Sequence, residues 1–142
     1  RGYATMTEKL KKDGCTNAAE LGFEVREYIY DMSRVMAAAD LVLCRAGAST
    51  LSELTLLGKP AILVPSPNVT HNHQERNARV LEAAGGAKVL LEGEFTQDSL
   101  LGEISDLLSD PAHLFSMSEK MKKLGVPDAV DKIADVVTEL GK

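Results

Sequence analysis

The sequence has no tryptophan, and its aromatic residues make up only 4% of the chain. Few rings are available to stack on bases, and no cluster of Lys and Arg is present to meet a phosphate backbone. The balance of 16 basic to 21 acidic residues, a net charge of -5, points the same way. Nucleic acid is therefore not an expected partner. The two cysteines, Cys15 and Cys44, lack Cys-x-x-Cys spacing, and Cys44 ends an apolar run. That favours a buried free thiol and a reducing compartment. No signal peptide is present, and no apolar stretch approaches the about 18 residues needed to span a bilayer. The chain reads as soluble. An initiator methionine is also missing: Arg1 runs straight into a helical pattern (Tyr3, Met6, Leu10), which reads as a piece of something longer.

What is present is enough for one domain with a sizeable core: 142 residues, 44% hydrophobic. The pattern alternates. A helix is expected over 3–13 with Gly14 as its C-cap, then a strand over 23–30 built on Val25, Tyr28 and Ile29. An Ala-rich helix over 32–39 precedes a strand over 41–44. A helix starting near Thr50 closes at Gly58, and a strand over 61–64 sits between Pro60 and Pro65. A helix over 71–84, the pair Gly85-Gly86 and a strand over 88–91 follow, with three helices near 97–108, 111–123 and 127–140. The Met and Leu positions of those last helices read as core. The strands at 41 and 61 are continuous apolar runs, which predicts that both of their faces are covered. Continuous strands separated by helices imply a parallel sheet with crossovers. The fold class is α/β, a Rossmann-like parallel sheet flanked by helices.

In such a sheet, ligands sit beyond the carboxyl ends of the strands. The turn from Arg45 to Thr50 lies at one such end. Gly47 permits close backbone approach, Ala48 adds little bulk, and the following helix points its free N–H groups and positive dipole end at the opening. That suits a phosphate. Thr50 and Glu53 are three apart, a spacing that favours a capping box; the alternative is that Glu53 holds a ribose diol while Ser49 or Thr50 meets phosphate. The polar stretch PSPNVTHNHQERN opens onto the same edge, with Thr70 placed to cap the next helix. Gln74 and Asn77 share one face of it, and such neutral side chains suit sugar hydroxyls as well as solvent. His71 and His73, two apart, do not face each other on a helix, and no further ligands complete a metal site. No metal or cofactor is expected. Tyr28, Ile29 and Met32 either pad the flat face of a base or pack in the core. His113 reads as a surface or helix-start residue, and no serine carries a triad motif.

The segment YIYDMSRVMAAADLVLCRAGASTLSELTLLGKPAILVP, followed by HNHQERNA, resembles the C-terminal lobe of the MurG-type N-acetylglucosaminyltransferases. The pairing of R-x-G-A-x-T-x-x-E (from Arg45) with H-Q-x-x-N-A (from His73) carries the resemblance, which extends over essentially the whole chain. It implies one lobe of a GT-B glycosyltransferase, with residues 1–142 forming a partial UDP-sugar-binding lobe that lacks its first strand and the amino-terminal acceptor lobe. It further implies transfer of N-acetylglucosamine from UDP-N-acetylglucosamine to lipid I, giving lipid II in peptidoglycan synthesis at the cytoplasmic face of the membrane.

By the same resemblance, Ile29 presents its backbone to uracil with Met32 nearby, and Ser49 and Thr50 lie at the diphosphate. Glu53 holds the ribose hydroxyls, while Gln74 and Asn77 recognise the N-acetylglucosamine hydroxyls with His73 beside them. The general base, the lipid I site and the membrane contact would all belong to the amino-terminal lobe, so no catalytic residue is assigned within this chain. The alternatives are the donor lobe of another GT-B transferase, a subunit that needs a membrane-bound partner, and an epimerase-type nucleotide-binding domain.

Overall fold

Parallel strands need a crossover between them, and the chain supplies a helix after each of its first two apolar triplets. The computed structural model describes residues 2–12, 14, 22–68 and 72–141. Cys15, Thr70 and His71 lie outside the described residues. Two compact units divide the chain, 1–32 and 33–142.

The first unit contains α1 (Gly2–Lys12). Gly14 follows it in the left-handed region, φ 82°, with its N–H donating to the Lys11 carbonyl at 3.2 Å. The expected strand over 23–30 does not form: 22–31 carries turns and bends only. A run of β-favouring residues does not make a strand without a neighbour to take its N–H and C=O groups. None of the strands among the described residues pairs with this segment. Within it, Arg26 pairs with Glu24 at 2.7 Å.

The second unit is built on β1 (Val42–Cys44), β2 (Ala61–Leu63) and β3 (Ala87–Val89), parallel and in that order. Val42 stands opposite Ala61, and Ala61 opposite Ala87. Helix α2 (Met32–Ala38) leads into β1, while α3 (Ala48–Leu57) and α4 (His73–Ala83) make the two crossovers. Helices α5 (Gln97–Ser109), α6 (Pro111–Lys122) and α7 (Ala129–Leu140) complete it. Strand β2 is central, and Ala61, Ile62 and Leu63 are wholly buried. The expectation that the strand at 41 is also covered on both faces is not met. Leu43 is 45% exposed, because β1 is an edge strand of the three.

The core gathers Met36, Leu51, Leu54, Leu63, Ala78, Leu81, Val89 and Met121. Leu51 and Leu54 are three apart on α3, as are Ala78 and Leu81 on α4, so each helix turns one face inward. Met117 and Met121 of α6 are buried as expected, but Leu101, Leu108 and Leu140 of the flanking helices are exposed. Gly58 ends α3 in the left-handed region, φ 65°, with the aliphatic stem of Lys122 lying where a Cβ would stand. A side chain there would be strained and crowded at once. Cys44 is a free, half-buried thiol whose pKa burial pushes up to about 11.

Candidate functional site

The carboxyl ends of β1 and β2 open onto the first turns of α3 and α4. After β1, Ala46 is fully buried and pins the turn. Gly47 follows as the N-cap of α3 in an extended conformation, φ -70° and ψ 143°, with no side-chain cap and no acidic residue in the first turn. The first helical bond runs from the Leu51 N–H to the Gly47 carbonyl at 3.0 Å. The N–H groups of Ala48, Ser49 and Thr50 therefore have no acceptor within the helix.

The capping box expected from Thr50 and Glu53 is absent. The helix begins at Ala48, which places Thr50 inside the first turn rather than before it, where a cap must stand. The side chain of Glu53 is exposed, and its carboxylate has no hydrogen bond or ion pair among the described residues. Ser49 and Glu53 are four apart and Thr50 and Glu53 three apart, so their side chains share one helix face.

Helix α4 takes Asn72 as its N-cap in the left-handed conformation, φ 53°, again without a side-chain cap. Its Nδ2 donates to Glu75 Oε2 at 2.5 Å. Gln74 is half-buried, and its Oε1 accepts the Ser66 N–H at 2.9 Å, tying α4 to the exit of β2. Asn77, one turn on, lines a groove of about 350 Å³ between α3 and α4 together with Ala48, Ser52 and Thr55. The fold thus brings Asn77 beside Ala48, the first residue of α3, whereas Ser49, Thr50 and Glu53 do not line that groove. His73 is exposed at the start of α4. Among the described residues no group of three or more His, Cys, Asp or Glu is placed to hold a metal.

The sequence reading assigned no role to Arg45. Its Nη1 donates to Glu92 Oε2 at 2.8 Å and to the carbonyls of Val64 and Pro65, each at 3.3 Å. The hydrogen bond from Arg45 holds the Glu92 carboxyl below its ordinary value, against a smaller opposing effect of desolvation. The only signal in the sequence was the arginine that opens the R-x-G-A stretch. In the first unit, Ile29 is half-buried and Met32 is 42% exposed. Tyr28 and Tyr30 are both exposed and meet edge to face, with centroids 4.8 Å apart. The core alternative for Tyr28 and Met32 is therefore not realised.

The family described as the glycosyltransferase family 28 C-terminal domain matches residues 2–133. The chain belongs to that family. A relative from Acetivibrio thermocellus, named UDP-N-acetylglucosamine--N-acetylmuramyl-(pentapeptide) pyrophosphoryl-undecaprenol N-acetylglucosamine transferase, is 50% identical over 99% of this chain. One of the same name from Desulforudis audaxviator is 44% identical over 98%. The chain spans 38% and 37% of their respective lengths. The crystal structure of Acinetobacter baumannii MurG matches with a TM-score of 0.75 at 31% identity, over 82% of this chain and 35% of that one. The forosaminyltransferase SpnP shares the fold alone, with a TM-score of 0.58 at 21% identity over 81% of this chain and 30% of that one. The fold is thus a Rossmann-like lobe of the GT-B type.

Within a family 28 lobe this geometry has definite chemical capacity. The open end of α3 offers three N–H groups and two hydroxyls to an anion. One turn on, Glu53 offers a carboxylate to paired hydroxyls, and Gln74 and Asn77 offer neutral amides.

Proposed function

We propose that this chain is the UDP-sugar-binding part of an inverting N-acetylglucosaminyltransferase that converts lipid I to lipid II. The observation that carries the proposal is the start of α3. Its amide groups are left open by the protein's own side chains, with Ser49, Thr50 and an unpartnered Glu53 on one exposed face. The names of the relatives support the donor and the acceptor.

In this proposal the diphosphate of UDP-N-acetylglucosamine sits at the start of α3, near Ser49 and Thr50, and Glu53 accepts hydrogen bonds from both ribose hydroxyls. Gln74 and Asn77 meet the sugar hydroxyls, with His73 beside them, while Ile29 and Met32 meet uracil. As the anomeric bond breaks, negative charge grows on UDP, and fixed amide donors stabilise it without reorganising. The hydroxyl of the acceptor sugar attacks from the opposite face, giving inversion, and loses its proton to a general base. That base, the lipid I site and the contact with the cytoplasmic face of the membrane belong to an amino-terminal lobe. Among the described residues no helix is long and apolar enough to cross a membrane.

The test is a chemical-shift titration with UDP-N-acetylglucosamine, with UDP-N-acetylgalactosamine and ADP-glucose as controls. Saturable shifts at Ile29, Thr50, Glu53 and Gln74, weaker with the controls, are expected. Equal shifts with ADP-glucose would remove the uridine specificity, and no shift at Thr50 or Glu53 would remove the site.

A further inference from the structure

One guanidinium gathers the carboxyl ends of all three strands. Arg45 stands just past β1, the carbonyls of Val64 and Pro65 just past β2, and Glu92 beyond β3, and Nη1 of Arg45 reaches all of them. The residue after Pro65 is Ser66, whose N–H is held by Gln74 Oε1 at 2.9 Å. A carboxamide has one oxygen and one NH2 group, so engaging the oxygen with the backbone directs the NH2 elsewhere.

From this linkage we infer that Arg45 is a positioning residue. By holding the Val64 and Pro65 carbonyls beside Glu92 it sets the 65–66 peptide, which carries both the Pro65 carbonyl and the Ser66 N–H, and this orients Gln74 to meet the donor sugar through Nε2 as a hydrogen-bond donor. The inference rests on the donor reading above and adds to it a direction of hydrogen bonding. Through Nε2, Gln74 then meets a ligand oxygen that accepts, and that nitrogen cannot accept in return.

The charge of Arg45 fits the same role. Its short contact is with Glu92, and its longer ones are with two carbonyls, so its closest partner already neutralises it within the protein. A diphosphate at the start of α3 is left to the amide groups and hydroxyls there. Arg45 therefore affects the sugar end of the donor and not the nucleotide end, a split that a general loss of structure would not produce.

The test has a ligand-free part and a binding part, both in the full chain. Without ligand, amide exchange at Ser66 is compared between wild type, Glu92→Gln and Arg45→Lys. Each variant is expected to speed exchange at Ser66 by up to about fivefold, as befits an exposed pair. The ladder amides of Val64 and Leu90 should not change. For binding, affinities for UDP and for UDP-N-acetylglucosamine are measured separately. Gln74→Glu keeps the Oε1 acceptor for Ser66 but replaces the outward NH2 with a carboxylate oxygen. It should weaken the sugar nucleotide about tenfold and leave UDP unaffected. Glu92→Gln should show the same split, smaller.

Unchanged exchange at Ser66 in both pair variants would overturn the inference. So would equal losses of UDP and UDP-N-acetylglucosamine in Arg45→Lys, since Arg45 would then meet the diphosphate itself. A wild-type chain that binds neither ligand sinks the donor reading, while exchange at Ser66 still decides whether Arg45 holds the loop.

Discussion

Helices α3 and α5 start with the same residue types used in opposite ways. At α5, Thr96 is the N-cap; its Oγ1 accepts the Ser99 N–H at 3.2 Å, and Ser99 Oγ accepts the Thr96 N–H at 2.9 Å. At α6, Asp110 accepts the His113 N–H at 2.9 Å ahead of Pro111. At α3, Ser49, Thr50 and Glu53 are all at hand, yet Gly47 takes the cap position and none of them closes the end. Of α3 to α7, only α3 has neither a side-chain cap nor a carboxylate in its first turn. With glycine at the cap position, forgoing a side-chain cap costs roughly a few tenths of a kcal/mol. The difference teaches that this end is open because its hydroxyls sit two and three residues past the cap position, too deep to serve it, and the proposed function gives them to the diphosphate instead.

Replacing Gly47 with aspartate should break the difference most completely. The φ of -70° suits any residue, and an added Cβ would meet nothing nearer than Thr50 Oγ1 at 4.0 Å. A carboxylate there becomes a cap, so Gly47→Asp should raise stability by roughly a few tenths of a kcal/mol in thermal unfolding, since glycine is itself a tolerable cap residue. It would also occupy the place of the diphosphate, and calorimetric affinity for UDP-N-acetylglucosamine should fall about 100-fold. A stabilised variant with full affinity would end the proposed role of this helix start. Glu53→Gln comes next. It should cost about tenfold in affinity, as a charge-assisted bond becomes a neutral one, with the melting temperature unchanged because the carboxylate has no partner to lose. If stability falls and affinity does not, Glu53 serves the fold.

The sequence made the element order legible, since glycines and prolines mark most boundaries. It failed where a long-range fact decides. Thr50 and Glu53 spelled the favoured capping pattern, but the helix started two residues earlier, and the real box is Thr96 with Ser99. Local spacing cannot say which residue adopts the extended cap conformation. The strand expected over 23–30 had suitable residues and no neighbour. Leu43 read as buried because its run is apolar, whereas its position on an edge strand exposes it. Arg45 was visible within its motif, but its partners lie 19, 20 and 47 positions along the chain. The candidate residues of the proposed site were visible as types, namely hydroxyls, a carboxylate and amides after successive strands. What joins them, such as the bond from Ser66 to Gln74, was not.

A smaller effect is expected at the closed end. Thr96→Ala removes one cap and should cost about 1 kcal/mol of stability, read from denaturant unfolding, with donor affinity unaltered. A loss of affinity there would mean that the two helix starts are not independent, and the difference drawn between them would lose its functional meaning.

The smallest expected effect is a response to acid, and it too separates the two ends. The α5 cap is built from hydroxyls and does not titrate, whereas the edge beside α3 is held by the carboxylate of Glu92. The hydrogen bond from Arg45 lowers the pKa of Glu92 below the ordinary 4.5. A lowered folded-state pKa means that the stabilisation is present above the unfolded value and is lost as pH falls through the folded one. Both side chains are about half exposed, so the effect on global stability is small. The sensitive readout is local: the carboxyl carbon of Glu92 should titrate below 4.5, and the Ser66 amide shift should follow the same midpoint while the Thr96 and Ser99 amides do not. In Arg45→Lys the Glu92 midpoint should move upward, because a lysine cannot reproduce the fixed fork of the guanidinium. A Ser66 amide indifferent to that midpoint would show that protonating Glu92 leaves the 65–66 peptide in place, and the loop would then be held from α4 alone.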